Sequence, residues 1–183
     1  VNKQIDPSNK LGFTVDIYSK DSDIARASGN LSKSYFDYTK QESDVYQTKN
    51  RYIFSWEHDA IDKTNFVDNL KAKIYYQDYE TKDYWNEFQA EKYFFGRLLN
   101  QDRDVYSRYK LKDDSYGADL QFGSTINNHR LTYGLDYSLT SNEYYQDKYT
   151  NTNGTVSHTY FGTDYPIKRS PDTDTQRLGV YIQ

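Results

Sequence analysis

Three histidines, His58, His129 and His158, are the side chains here best suited to ligate a metal or pass a proton near neutral pH. Their surroundings do not assemble a reaction centre. The chain has no Cys, which removes thiol catalysis, Cys-based zinc sites, iron–sulfur clusters and disulfide scaffolds. A Ser/His/Asp set is then the main nucleophilic option, yet no G-x-S-x-G occurs, and neither does H-E-x-x-H or a glycine-rich phosphate loop. Carboxylates are plentiful, 27 Asp+Glu against 23 Lys+Arg, but no two are marked as an acid/base couple. The pairs Asp21/Asp23 and Asp172/Asp174 lack the spacing, glycine and closing glutamate of a calcium loop. Asn30 and Asn153 each open a glycosylation sequon, read as a chance match. No enzyme is expected. His58 and His129 read as polar residues beside short connections. His158 lies in SHTYFG, residues 157–162, where an imidazole among rings could touch a ligand or a protein partner, or stand in solvent. With Tyr160, Phe161 and Tyr165 it makes the candidate contact set, because tyrosine is favoured in interfaces.

The elements that must carry these residues are strands. Mean hydropathy is −1.05, low enough for a disordered acidic segment. Tyrosine argues the other way: 21 of 183 residues are Tyr, whereas disordered chains are poor in aromatics. The longest uninterrupted apolar run is three residues, so no helix can cross a membrane. Six segments alternate apolar and polar residues, at about 10–19, 50–59, 68–80, 111–124, 129–142 and 174–183. The cleanest sets Leu131, Tyr133, Leu135, Tyr137 and Leu139 against Thr132, Gly134, Asp136, Ser138 and Thr140. The stretch 86–99 is allowed a short loop helix.

The connections alternate between short and long. Asp6-Pro7-Ser8-Asn9 carries turn chemistry. Long polar stretches at about 21–49, 82–108 and 143–172 alternate with short links near 60–67 and 124–128. Antiparallel neighbours would then place every long loop at one end and every short turn at the other, the asymmetry of outer-membrane barrels. Pairing residues whose numbers sum to 128 sets Trp56 against Ala72 and Glu57 against Lys71; a sum of 253 sets Leu120 against Tyr133. A shift of two would preserve the faces of either hairpin.

Alternation alone leaves open whether the apolar face is a sandwich core or meets lipid. Three features favour lipid: aromatic residues near strand ends, strands long enough for a tilted crossing, and charges on the opposite face. That face carries Asp16, Arg51, Glu57, Lys71, Lys73, Asp119 and Asp136, a set suited to a polar lumen. Six strands cannot close a bacterial barrel, which starts at eight. With no Met and no leader in the sequence, the expectation is an internal arc of a longer protein, residues 1–5 ending a preceding strand and Gln183 lying inside one that continues. The mild net charge of −4 does not suggest a nucleic-acid partner.

The stretches HRLTYGLDYS (His129 to Ser138), SPDTDTQRLGVYIQ (Ser170 to Gln183) and LKAKIYYQDYE (Leu70 to Glu80) resemble barrel strands of TonB-dependent outer-membrane receptors. The likeness is greatest to the haemoglobin, haem, transferrin and lactoferrin receptor group. It implies an all-β, up-and-down, antiparallel barrel of 22 strands, of which residues 1–183 supply about six, with long extracellular loops and short periplasmic turns. It also implies a Gram-negative outer-membrane location and a lipid-bilayer surround. The lumen would hold a plug of the same parent chain, reached by the TonB system, and the transported substrate would be haem, or iron from haemoglobin or a transferrin-type host protein. No plug, TonB box, or FRAP or NPNL motif occurs in these 183 residues, and no cofactor or metal site is assigned. Three other readings stay open: a passive porin segment, a TonB-dependent siderophore receptor, and a soluble extracellular β-rich binding domain.

Overall fold

The alternating segments are strands that run well past the ends of their alternation. The structure, a computed structural model, describes all residues except 33–36, 60–66, 127 and 169. In chain order the strands are β1 (Asn2–Asp6), β2 (Asn9–Ser32), β3 (Asp37–Asp59), β4 (Asn69–Ala90), β5 (Lys92–Phe94), β6 (Arg97–Asn100), β7 (Arg103–Ile126), β8 (His129–Thr152), β9 (Thr155–Ser157), β10 (Thr159–Tyr160), β11 (Thr163–Asp164), β12 (Ile167–Lys168) and β13 (Thr173–Ile182). β1, β2, β3, β4, β7 and β8 form one antiparallel meander. The far side of β8 is completed by β13, β12 and β9. The sheet is open at β1 and β13 among the described residues.

We call the end with connections 7–8, 60–68 and 127–128 the near end, and the other the far end. At the near end, the Asp6 carboxylate accepts the backbone N–H groups of Ser8 and Asn9, each at 2.8 Å, which closes the turn foreseen there.

Three expectations are corrected. The stretches 21–49, 82–108 and 143–172 are mostly not loops. β2 and β3 stay paired to Ser32↔Asp37, β4 and β7 to Gln89↔Arg103, and β7 and β8 to Asp104↔Asn151. Tyr, Thr, Val and Trp suit a pleated backbone even where neither face is apolar, so a ladder started in the alternating half continues outward. Residues 86–99 hold no helix: Asn86 to Ala90 end β4, and β5 and β6 form a hairpin. The third correction is the second register. β3 and β4 pair with the sum 128, as Trp56↔Ala72 and Glu57↔Lys71. β7 and β8 pair two residues away from the expected register, as Leu120↔Leu135 and Phe122↔Tyr133. Pairing Ile126 with His129 leaves a two-residue connection, the commonest hairpin length, and every side chain keeps its face. Most of the short link at 60–67 lies outside the described residues.

The core is unusual in its placement. In the near half, one face carries Phe13, Phe54, Ile74, Leu120, Leu135 and Val180, and no second layer among the described residues packs on it. Ile17 is 72% exposed and Ile74 is 58% exposed. The fully buried side chains instead lie on the polar face in the far half: Ser43, Gln89, Val105 and Gln146. A strand of 24 residues, such as β8, spans about 80 Å at ~3.3 Å per residue, so each long strand passes through both halves.

Candidate functional site

The apolar face has ordered margins. Tyr52, Tyr76 and Tyr116 are consecutive cross-strand partners on β3, β4 and β7. Their rings stand 6.3 Å and 4.8 Å apart, and the Tyr76 hydroxyl donates to Asp114 at 3.3 Å. Beyond this row the same face turns polar, with Asn50, Asp78, Asp114 and Ser141. At the near margin Phe122 stacks on Tyr133 at 5.3 Å. There the Trp56 indole N–H donates to Asn9 Oδ1 at 3.1 Å, and His58 Nδ1 meets the same oxygen at 2.9 Å. His58 thus belongs to the near margin, and His129 lies exposed at the start of β8. Rings with an apolar body and a polar tip occupy the boundary between the apolar and polar parts of the face.

All seven charged residues singled out from the sequence share the opposite face. Glu57 lies between Lys10 at 3.5 Å and Lys71 at 3.8 Å. Asp16 is the register partner of Arg51, whose guanidinium sits 5.3 Å from the centre of the Tyr75 ring. Lys73, Asp119 and Asp136 are successive partners across β4, β7 and β8. Two carboxylates directly opposite each other repel. Here Lys73 flanks them on one side, and Arg177, 3.9 Å from Asp136, on the other. Arg177 was missed in the sequence, although its odd parity against Leu178 and Val180 already assigns it to this face. Large rings cover two small residues: a Cβ on Gly117 would stand 2.2 Å from the Tyr75 ring, and one on Gly134 would stand 2.6 Å from the Tyr181 hydroxyl.

The four candidate contact residues do not converge on one point. Tyr160 closes over the polar face at the far end. Its hydroxyl accepts from Gln89 Nε2 at 3.1 Å, and Gln89, fully buried, also donates to Glu87 and accepts from Arg103 Nε at 2.8 Å. Lys148 Nζ lies 3.5 Å from the centre of the Tyr160 ring. Burial, with the Glu87 carboxylate adding to it, pushes the Tyr160 phenol above its ordinary value, while Gln89 and Arg103 pull against the shift. His158 lies on the other side of the sheet edge, with Nδ1 3.7 Å from Asp147 and its ring 5.6 Å from Tyr149. Tyr165 is tied to it through the backbone, its N–H donating to the His158 carbonyl at 2.9 Å. Phe161 packs edge-on against Tyr160 at 4.6 Å and is 70% exposed. Among the described residues no group of three or more His, Asp or Glu is placed to hold a metal ion.

Three two-residue turns at the far end have positive φ at both positions: Phe95-Gly96, Asn153-Gly154 and Phe161-Gly162. These are the type I′ values whose twist suits a hairpin. Asn-Gly is the natural pair for such a turn, whereas Phe at positive φ is sterically costly. Phe95 is 91% exposed. The repeated Tyr-Phe-(Phe)-Gly spelling at 93–96 and 160–162 was the available sequence signal for these tips. Gln89, Arg103 and Lys148 gave no such signal, because their meeting depends on a pairing that only the extended strands create. Comparison of the chain with protein-family models, with curated proteins and with solved structures finds no match.

Proposed function

We propose that these strands are an arc of a larger outer-membrane β-barrel, and that the barrel is a TonB-dependent receptor for active uptake of an iron source. Haem, haemoglobin iron or transferrin-type iron is the substrate class. The observation that carries the membrane reading is the uncovered apolar face with aromatic rows at both margins, on a sheet whose other face is ionic. A soluble sandwich needs a second layer on that face. A barrel turns it to lipid, where interfacial rings form girdles. The open edges at β1 and β13 fit the same reading, since unpaired edges are not tolerated in hydrocarbon and further strands of the parent chain would close them.

In this orientation the near end is periplasmic and the far end extracellular. The ionic face looks into the lumen, where a plug of the parent chain would pack. The receptor role itself rests on the likeness of the β4, β8 and β13 segments to that family. The test is growth of a bacterium expressing the full-length protein on single iron sources, namely haem, haemoglobin, transferrin or a siderophore, with and without the TonB system. TonB-dependent growth on one of the first three is expected. Growth that ignores TonB would return the porin reading, and growth on the siderophore alone would move the substrate class.

A further inference from the structure

Beyond the apolar band, the outward face of the far half carries a second aromatic group that the uptake role does not use. Tyr46, Tyr84, Tyr106 and Tyr149 come from β3, β4, β7 and β8 and lie on the same face as the band. Tyr46 and Tyr84 meet edge to face at 5.6 Å, and Tyr106 and Tyr149 stack at 4.8 Å with 14° between their planes. The Arg108 guanidinium bridges the two pairs, 5.8 Å from the Tyr84 ring and 5.6 Å from the Tyr149 ring. Together they line an open trough of about 670 Å³, a volume ordinary for a ligand site. Asp44, Lys82 and Asn86 stand on its rim.

We propose that this trough is a saccharide-binding platform, and that its occupant is the sugar head of the outer-leaflet glycolipid surrounding the barrel. A pyranose ring presents apolar C–H faces and an equatorial rim of hydroxyls. The ring surface that the edge-to-face and stacked phenols leave to the trough faces the first, and carboxylate, amide and cation neighbours pair with the second. Acceptors and donors are mixed along the rim, which suits hydroxyls, groups that both donate and accept. Position selects the occupant. Tyr84 lies eight residues beyond Tyr76 on β4, about 27 Å along the strand, and about 20 Å along the membrane normal at a tilt near 40°. That height, on the lipid-facing side, is where core sugars stand above the acyl chains. The assignment of height rests on the membrane reading above; the chemistry of the trough does not.

The experiment uses the full-length protein extracted from outer membranes and freed of glycolipid. It is titrated with purified lipopolysaccharide, with lipid A lacking core sugars, and with free core oligosaccharide. Saturable binding of lipopolysaccharide and core oligosaccharide is expected. The Tyr84→Ala/Tyr149→Ala double variant should lose roughly tenfold in affinity for both and keep its affinity for lipid A. Tyr84→Phe/Tyr149→Phe keeps the rings and should bind like the parent, which separates stacking from misfolding. Equal binding by the Ala and parent forms, or binding that needs only lipid A, would overturn the proposal. Should the protein fractionate away from the outer membrane yet bind free core oligosaccharide in a Tyr84-dependent way, the membrane reading and the glycolipid occupant fall, and only the saccharide chemistry of the trough stands.

Discussion

Leu135 and Tyr145 lie on the same strand and the same face, and are equally exposed at 38% and 40%. They differ in depth. The apolar band on β8 runs from Leu131 to Leu139, with Leu135 at its centre, paired to Leu120 on one side and Val180 on the other. Four residues on either side amount to about 13 Å along the strand and about 10 Å along the normal at a tilt near 40°. An arginine there has no margin within easy reach. If the face meets hydrocarbon, Leu135→Arg should cost about 2–4 kcal/mol, the midplane range for barrels, or roughly 30- to 900-fold in the folding equilibrium. Leu135→Ala subtracts the packing lost with the leucine. Tyr145→Arg, above the band, should differ from Tyr145→Ala by less than about 0.5 kcal/mol, the usual surface range. The assay is urea unfolding of the full-length protein from phospholipid vesicles, with folded yield in the outer membrane as a second readout. Equal Arg-minus-Ala differences at the two positions would refute the reasoning, because solvent exposure alone treats both sites alike.

Tyr160→Phe removes the hydroxyl that accepts from Gln89 and should loosen the 155–168 segment by about 1 kcal/mol, read as faster amide exchange there. The parent Tyr160 phenol has a raised folded pKa, so its contribution is intact below about pH 10 and lost as pH rises through the folded value. Alkaline titration at the tyrosinate absorption band should show a late-ionising ring absent from Tyr160→Phe; identical curves would contradict the burial argument. Phe161→Asn relieves a ring residue at φ 49°; stability should hold or rise by up to about 1 kcal/mol. On the proposed receptor role, uptake from a protein-borne iron source should fall, and unchanged uptake would take Phe161 out of the contact set. Gly117→Ala drives a Cβ into the Tyr75 ring and should cost about 1–3 kcal/mol. Most of that cost should vanish in a Tyr75→Ala background, and a double-mutant cycle showing additivity would deny the close contact.

The near half was legible because its two faces differ. Leu131 to Leu139 alternate against Thr132 to Thr140, and that contrast fixes strand, face and the near end, but not the far end, which lies at Thr152. The charged set from Asp16 to Asp136 followed by parity alone. Register was not fixed by the faces in either hairpin: Glu57 finds an opposite charge at Lys71 or, two residues away, at Lys73, and β7–β8 likewise offered registers with equal faces; the structure has the first pairing in β3–β4 and the shifted one in β7–β8. The far half gives no strand signal in the sequence because its faces do not differ. Along β4 beyond Glu80 the sequence runs Thr81, Lys82, Asp83, Tyr84, Trp85, with rings and charges on both sides. Such a stretch has no period to detect, yet it pairs without a break to Gln89↔Arg103.

Tyrosine connects the two halves. At the margin of the band, Tyr52, Tyr76 and Tyr116 set an apolar ring toward the leucines and isoleucines, and the Tyr76 hydroxyl reaches the first polar row at Asp114. Farther out, Tyr84 and Tyr149 lie on the face of the apolar band, and Tyr160 lies over the ionic one. A phenyl ring in these outer positions would leave Gln89 one acceptor short, and an aliphatic chain would offer Arg108 no ring face. A sheet that leaves its apolar layer but keeps its pairing needs side chains that pack laterally on neighbouring strands without a buried core. The low mean hydropathy and the high tyrosine content are therefore one property: strands that extend some 13 residues beyond the band, held together by cross-strand rings and ion pairs such as Glu80 with Lys82 and Lys110.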